Sequence, residues 1–204
     1  MKKYSPWVVI AAFLILPISF LAATKWYRTM FTSLPVLGGK NHKIAGFELR
    51  SQDGQFASIR TWNNKIVVAD FFFTHCPVVC PKMTNSLKKV RERFHPDKDL
   101  LIISFTVDPE RDSVERLQQY AAQMNIQDNW LLLTGDKKQI YQLARKSFLV
   151  TATEGDGGAQ DFIHSDQLVL VDKQKRIRGF YNGTVPEQVE LLIRDISRLK
   201  NEEE

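Results

Sequence analysis

Two cysteines and four histidines are the residues of this chain that could carry redox or soft-metal chemistry. Cys76 and Cys80 stand four apart in Phe73-Thr74-His75-Cys76-Pro77-Val78-Val79-Cys80-Pro81. If the turn between them is helical, residues i and i+4 share a face, and both sulfurs can approach one metal ion or each other. Free amides at a helix start stabilise a thiolate, the species that attacks disulfides and binds soft metals. Three spacer residues rather than two speak against an ordinary CxxC oxidoreductase, and two cysteines alone do not make a four-coordinate structural zinc site. Inert core thiols and a structural disulfide are the plain alternatives.

The elements that must hold this pair can be read on either side of it. Phe47, Leu49 and Phe56 alternate around Asp53-Gly54, which predicts an N-terminal hairpin. Lys65 to Phe73 is a nearly continuous β-branched and aromatic run, as expected of a strand covered on both faces. Met83, Leu87, Val90 and Phe94 predict a helix that stops before Pro96, and Leu100 to Val107 the next buried strand. Asp112 with Glu115, Asp136 with Gln139, and Thr184 with Glu187 each resemble a capping box ahead of an apolar stripe. Leu131 to Leu133 is strand-like, residues 151–161 form a Gly-rich loop, and Leu168 to Val171 with Arg178 to Tyr181 read as a final pair of strands. This order predicts an α/β protein with a central sheet flanked by helices, and the thioredoxin-like arrangement satisfies it. In that arrangement the cysteines lie at the start of the helix that follows the first long strand.

Composition sets the scale and excludes some partners. At 204 residues, 44% of them hydrophobic, the chain fits one medium-sized domain whose core does not need disulfides to compensate for its size. The formal charge is +5, but Lys2, Lys3, Lys25 and Arg28 fall in the first thirty residues, which hold no acid. The nearly neutral remainder argues against nucleic-acid binding. Trp7 to Ala23 is uncharged, with aromatic residues at both ends and lysines on the leading side, which predicts a single-pass inner-membrane anchor whose following domain is periplasmic or otherwise extracytoplasmic. A cleaved signal peptide competes with this, but Leu21 and Lys25 make a poor cleavage site. The expected organisation is an anchor over residues 1–30, a tether over 31–43 and the folded domain over 44–204.

A third donor would decide what the thiols do. His42 lies in the tether and His95 at a helix end, and His75 precedes the turn, where it is better placed to tune the thiol or to pack. His164 ends the Gly-rich loop directly before the last hairpin, a junction that lies beside the active-site helix in a thioredoxin-like sheet. No proline falls between Pro109 and Pro186, so the cis-proline usual at that junction in thiol oxidoreductases is missing. Cys76, Cys80 and His164 together make a soft three-coordinate site that suits Cu(I), and Cu(II) with an added oxygen; zinc with a water is the competing occupant.

At this point three segments resemble the Sco/SenC copper-binding proteins that assist assembly of cytochrome c oxidase. Thr74 to Pro81 is similar to their CxxxCP signature, Thr106-Val107-Asp108-Pro109-Glu110-Arg111-Asp112 to their second motif, and Phe162-Ile163-His164-Ser165 to their histidine segment. The resemblance runs from about Gly46 to the C-terminus. It implies a membrane-tethered, thioredoxin-like copper chaperone with Cys76, Cys80 and His164 as ligands. Its implied partner is subunit II of the oxidase, whose binuclear copper site it loads or whose cysteines it reduces, or another exported copper protein. Val78 and Ile163 stand where many members carry acidic residues, which bears on thiolate pKa, Cu(II) affinity and the docking surface. Asp108 and Asp112 read as turn-forming and helix-capping residues. Besides copper delivery, thiol-disulfide reduction through Cys76 and Cys80 and a copper or redox sensor are the functions that these residues could serve.

Overall fold

The structure is a computed structural model that describes residues 15–21, 23–24, 33–39, 41–150 and 165–203. Among the described residues, seven strands form one sheet: β1 (Glu48–Ser51), β2 (Phe56–Ser58), β3 (Ile66–Phe72), β4 (Leu100–Thr106), β5 (Trp130–Thr134), β6 (Gln167–Val171) and β7 (Ile177–Asn182). Among the described residues, four helices pack on the sheet: α1 (Val79–Phe94), α2 (Val114–Gln123), α3 (Lys137–Gln142) and α4 (Pro186–Glu203), with α3 passing into a π-turn over Leu143–Ser147. The strand order is β2-β1-β5-β4-β3-β6-β7. β3, β4 and β5 are parallel, while β1 joins β5, and β6 joins β3, antiparallel. This is the thioredoxin-like α/β sheet expected from the element order.

Alternation along β3 assigns the two faces. Ile66, Val68 and Phe72 enter the core under α1, α2 and α4, whereas Val67, Ala69 and Phe71 meet Trp62, Phe105, Phe148 and the residues of α3. All seven residues of β3 and of β4 are buried, which explains their near-continuous apolar sequence. The β1–β2 hairpin closes through Gly54, whose φ of 73° suits the turn that the Asp53-Gly54 signal predicts.

Two expected caps are displaced by a residue or more. Helix α2 is capped by Ser113, whose hydroxyl accepts from the Arg116 N–H, so Asp112 lies outside the helix and is free for another role. Thr184 donates to Asn182 rather than capping α4, which starts at Pro186. Asp136 does cap α3, accepting from the Gln139 N–H at 2.7 Å.

In the segment read as a tether, residues 34–37 are docked on the domain. Leu37 bridges Ile177, and the buried Arg178 guanidinium donates to the carbonyls of Leu34 and Pro35 while pairing with Asp172 and Glu202. Residues 15–21 are helical; among the described residues no helix is long and apolar enough to cross a membrane. The rest of the expected anchor, the Gly-rich loop and His164 lie outside the described residues.

Candidate metal and thiol site

The site is built at the carboxyl end of β3. After Phe72 the chain turns once, with the Cys76 N–H donating to the Phe73 carbonyl, and α1 begins at Val79. Val78 occupies the N-cap position and supplies no capping side chain. The Cys80 N–H instead donates to Cys76 Sγ at 3.3 Å, and Pro81, one residue further on, has no N–H to satisfy. The sulfur of Cys76 therefore serves as the polar cap of the helix.

The two thiols are free and differ sharply in environment. Partial burial opposes ionisation of Cys76. Hydrogen bonds from the Cys80 N–H and thiol and from the Val78 and Val79 N–H groups overcome it, and hold its pKa below the ordinary thiol value. Burial pushes Cys80 well above the thiol range, reinforced by the negative charges of Cys76 and Asp70 against one backbone hydrogen bond at Phe73. The arrangement makes Cys76 the more readily ionised of the two thiols, with Cys80 as the donor between them.

Behind the cysteines stand two buried carboxylates. Asp70 shares its face of β3 with Phe72 and accepts from Ser104, whose own oxygen accepts the Trp130 indole N–H at 2.9 Å. Burial pushes Asp70 up to about 7 despite the Ser104 bond. Asp112 is fully buried and gathers three donors: the Thr74 N–H at 3.0 Å and the hydroxyls of Thr74 at 2.6 Å and Thr106 at 2.5 Å. Bonds of this charge-assisted kind contribute about 1.5–3 kcal/mol each. Arg116 Nε donates to the same Thr74 hydroxyl at 3.0 Å. The exposed His75 ring lies on the outer side, with Nδ1 3.2 Å from Thr74 Oγ1 and 3.9 Å from Asp112 Oδ1.

Of the sequence-predicted site residues, Cys76 and Cys80 are brought together, while His164 lies outside the described residues. His42 and His95 are remote in function: His42 Nε2 meets the Ser147 carbonyl, and His95 sits near Asp128. The roles of Asp70 and Asp112 were missed. A lone carboxylate in an otherwise apolar strand was the available signal for the first; for the second, the neighbouring Ser113 offers an equally good cap.

A cavity of about 470 Å³ opens over the cysteines, walled by Phe71, Phe73, Pro77, Val78, Val79 and, from across the sheet, Ser165 and Asp166. Asp166 is fixed there by the Asn182 side chain and the Gly183 N–H. A thioredoxin-like sheet with a CxxxC pair heading its first helix defines a thiol-bearing protein of that fold, with donors suited to a soft metal or to disulfide exchange.

The SCO1/SenC family profile matches residues 37–201. The SCO1 protein homolog of Bacillus subtilis (strain 168) is 32% identical over 159 residues, 76% of this chain and 82% of that one. The chain belongs to the SCO1/SenC family. Among solved structures, BsSco, a Sco-family cytochrome c oxidase assembly protein in which a disulfide switch has been identified, aligns with a TM-score of 0.69 and 30% identity over 83% of this chain and 98% of that one. Bradyrhizobium japonicum ScoI, solved with copper bound, aligns with a TM-score of 0.62 and 25% identity over 76% and 98%.

Proposed function

We propose that this chain is a copper-binding protein, held to the inner membrane by its N-terminal segment, that assists assembly of the binuclear copper site of cytochrome c oxidase subunit II or of another exported copper protein. Copper is its cargo, carried as Cu(I) and, with an added oxygen donor, as Cu(II), by the sulfurs of Cys76 and Cys80 and the imidazole of His164. One observation carries this reading: Ser165 and Asp166, the residues that follow His164 in the chain, wall the same cavity as both cysteines. The copper-bound ScoI structure and the oxidase-assembly role of BsSco support it. The membrane attachment and the extracytoplasmic placement rest on the uncharged run from Trp7 to Ala23 and the lysines before it. Transfer proceeds by ligand exchange, an acceptor's thiolates replacing this chain's donors one at a time.

The test is a Cu(I) titration of the reduced, detergent-solubilised full chain against bicinchoninate. One Cu(I) per chain is expected. Cys76→Ser, Cys80→Ser and His164→Ala should each weaken binding at least tenfold, about 1.4 kcal/mol. Wild-type affinity in any of the three would remove that residue from the ligand set.

The unequal thiols favour a second reading, thiol-disulfide reduction. The Cys76 thiolate attacks a target disulfide and releases one target thiolate; Cys80 loses its proton and attacks the mixed disulfide, releasing the second. The target gains two electrons and this chain is left with a Cys76–Cys80 disulfide. Under this reading His164→Ala keeps the reducing activity, and either cysteine substitution abolishes it.

A further inference from the structure

We propose that Asp112 is a positioning residue for the thiol site, and that the second sequence motif exists to carry it: the carboxylate clasps Thr74 and so fixes the loop that presents Cys76 to Cys80. The proposal rests on the reading of the two cysteines as the functional pair. Both oxygens of Asp112 are engaged, Oδ1 by the Thr74 hydroxyl and Oδ2 by the Thr74 N–H and the Thr106 hydroxyl. Thr74 is thus held by its backbone and its side chain at once, two residues before Cys76. The side chain of Asp112 is fully buried, so water does not compete for these bonds.

The route of the chain explains why this carboxylate comes from so far along the sequence. β3 and β4 are neighbours, and the Val107 N–H donates to the Phe72 carbonyl, so the loop after β4 runs beside the loop that carries the cysteines. Asp108 begins that loop as a turn, accepting at its carbonyl from the N–H groups of Arg111 and Asp112. The turn delivers Asp112 to Thr74, and Ser113 takes over the capping of α2. Cap and clasp are therefore separate residues on one helix start, and can be separated by substitution.

Fixing the loop matters because Cys76 Sγ depends on it for its place over the first turn of α1. A sulfur held there binds Cu(I) together with Cys80 without first ordering four residues of chain; a loosened loop meets that ordering cost on binding. Cu(I) affinity of the full chain, measured by competition with bicinchoninate, should fall about tenfold in both Asp112→Asn and Thr74→Val. The double variant should lose less than the sum of the two single losses, because both remove the bond from the Thr74 hydroxyl to Asp112 Oδ1. Exchange of the Thr74 amide hydrogen, followed by mass spectrometry of the peptide over residues 73–78, should speed up at least tenfold in Asp112→Asn.

Ser113→Ala is the control: it removes the cap of α2, lowers stability, and should leave both Cu(I) affinity and residue 73–78 exchange within twofold of wild type. If Asp112→Asn fails to fold, Thr74→Val and Arg116→Met carry the test. Equal losses in Ser113→Ala and Asp112→Asn, or additive losses in the Thr74/Asp112 pair, would overturn the clasp while leaving copper binding intact. Absence of Cu(I) binding in the wild type would sink the copper reading instead, and the clasp would then be judged by exchange alone.

Discussion

Asp70→Asn is the perturbation that tests the electrostatics beneath the cysteines. Asp70 is fully enclosed, with Ser104 donating to it, Trp130 behind Ser104, and Cys80 and Tyr120 within its electrostatic reach. Burial raises it from its ordinary 3.8 to about 7 in the folded chain. The folded state thus keeps a proton that the unfolded state releases from about pH 4 upward, so folding stability falls as pH climbs between these values. Below that window the contribution vanishes, and above it the full cost of a buried carboxylate is present, about 4 kcal/mol at 1.36 kcal/mol per unit. Asparagine carries no proton to lose, but it puts a donor group where the site holds an acceptor oxygen, at a cost of about 1–3 kcal/mol at every pH. The variant should therefore be less stable than wild type at pH 4.5 and more stable at pH 8, with a change in the difference of about 3–4 kcal/mol between the two. Urea unfolding of the reduced, metal-free chain at both pH values measures it, and groups titrating alike in both proteins cancel. A difference that stays constant between pH 4.5 and 8 would refute the raised pKa.

Two further outcomes follow from the geometry. Limiting iodoacetamide at pH 7.5 should alkylate Cys76 well ahead of Cys80, because the first is partly exposed with a lowered pKa and the second is buried with a raised one; peptide mass spectrometry reads the ratio, and equal labelling would contradict the asymmetry. Arg178→Met removes the donors to Leu34, Pro35, Asp172 and Glu202 and should cost about 3–5 kcal/mol, with faster proteolysis at residues 33–39 and an unchanged Cu(I) affinity.

The strands and helices were legible because the faces they bury are large and periodic. β3 and β4 announce themselves as apolar runs, and α1 through Met83, Leu87 and Val90, all fully buried. The Cys76–Cys80 pairing was legible for the same reason, since a helix beginning between them puts both on one turn. The caps were less so. Asp112-Ser113 offers two adjacent residues of equal capping chemistry, and only the path of the chain from β4 decides that the serine caps and the aspartate turns inward. The docking of residues 34–37 was hidden because Arg178, which holds them, is far away in sequence and looks like an ordinary exposed arginine on a terminal strand.

The character of Cys76 depends on the absence of a polar side chain at Val78. Val78 sits where a helix of this kind ordinarily carries a serine, threonine, aspartate or asparagine, and its side chain accepts nothing. An acidic side chain there would compete for the Cys80 N–H that now donates to Cys76 Sγ and would place a like charge beside the thiolate. With valine, the amides at the head of α1 converge on sulfur alone, and a half-exposed apolar side chain borders the cavity in place of a carboxylate. Valine thus leaves the rim beside Cys76 uncharged and leaves the helix-head amides to the sulfur.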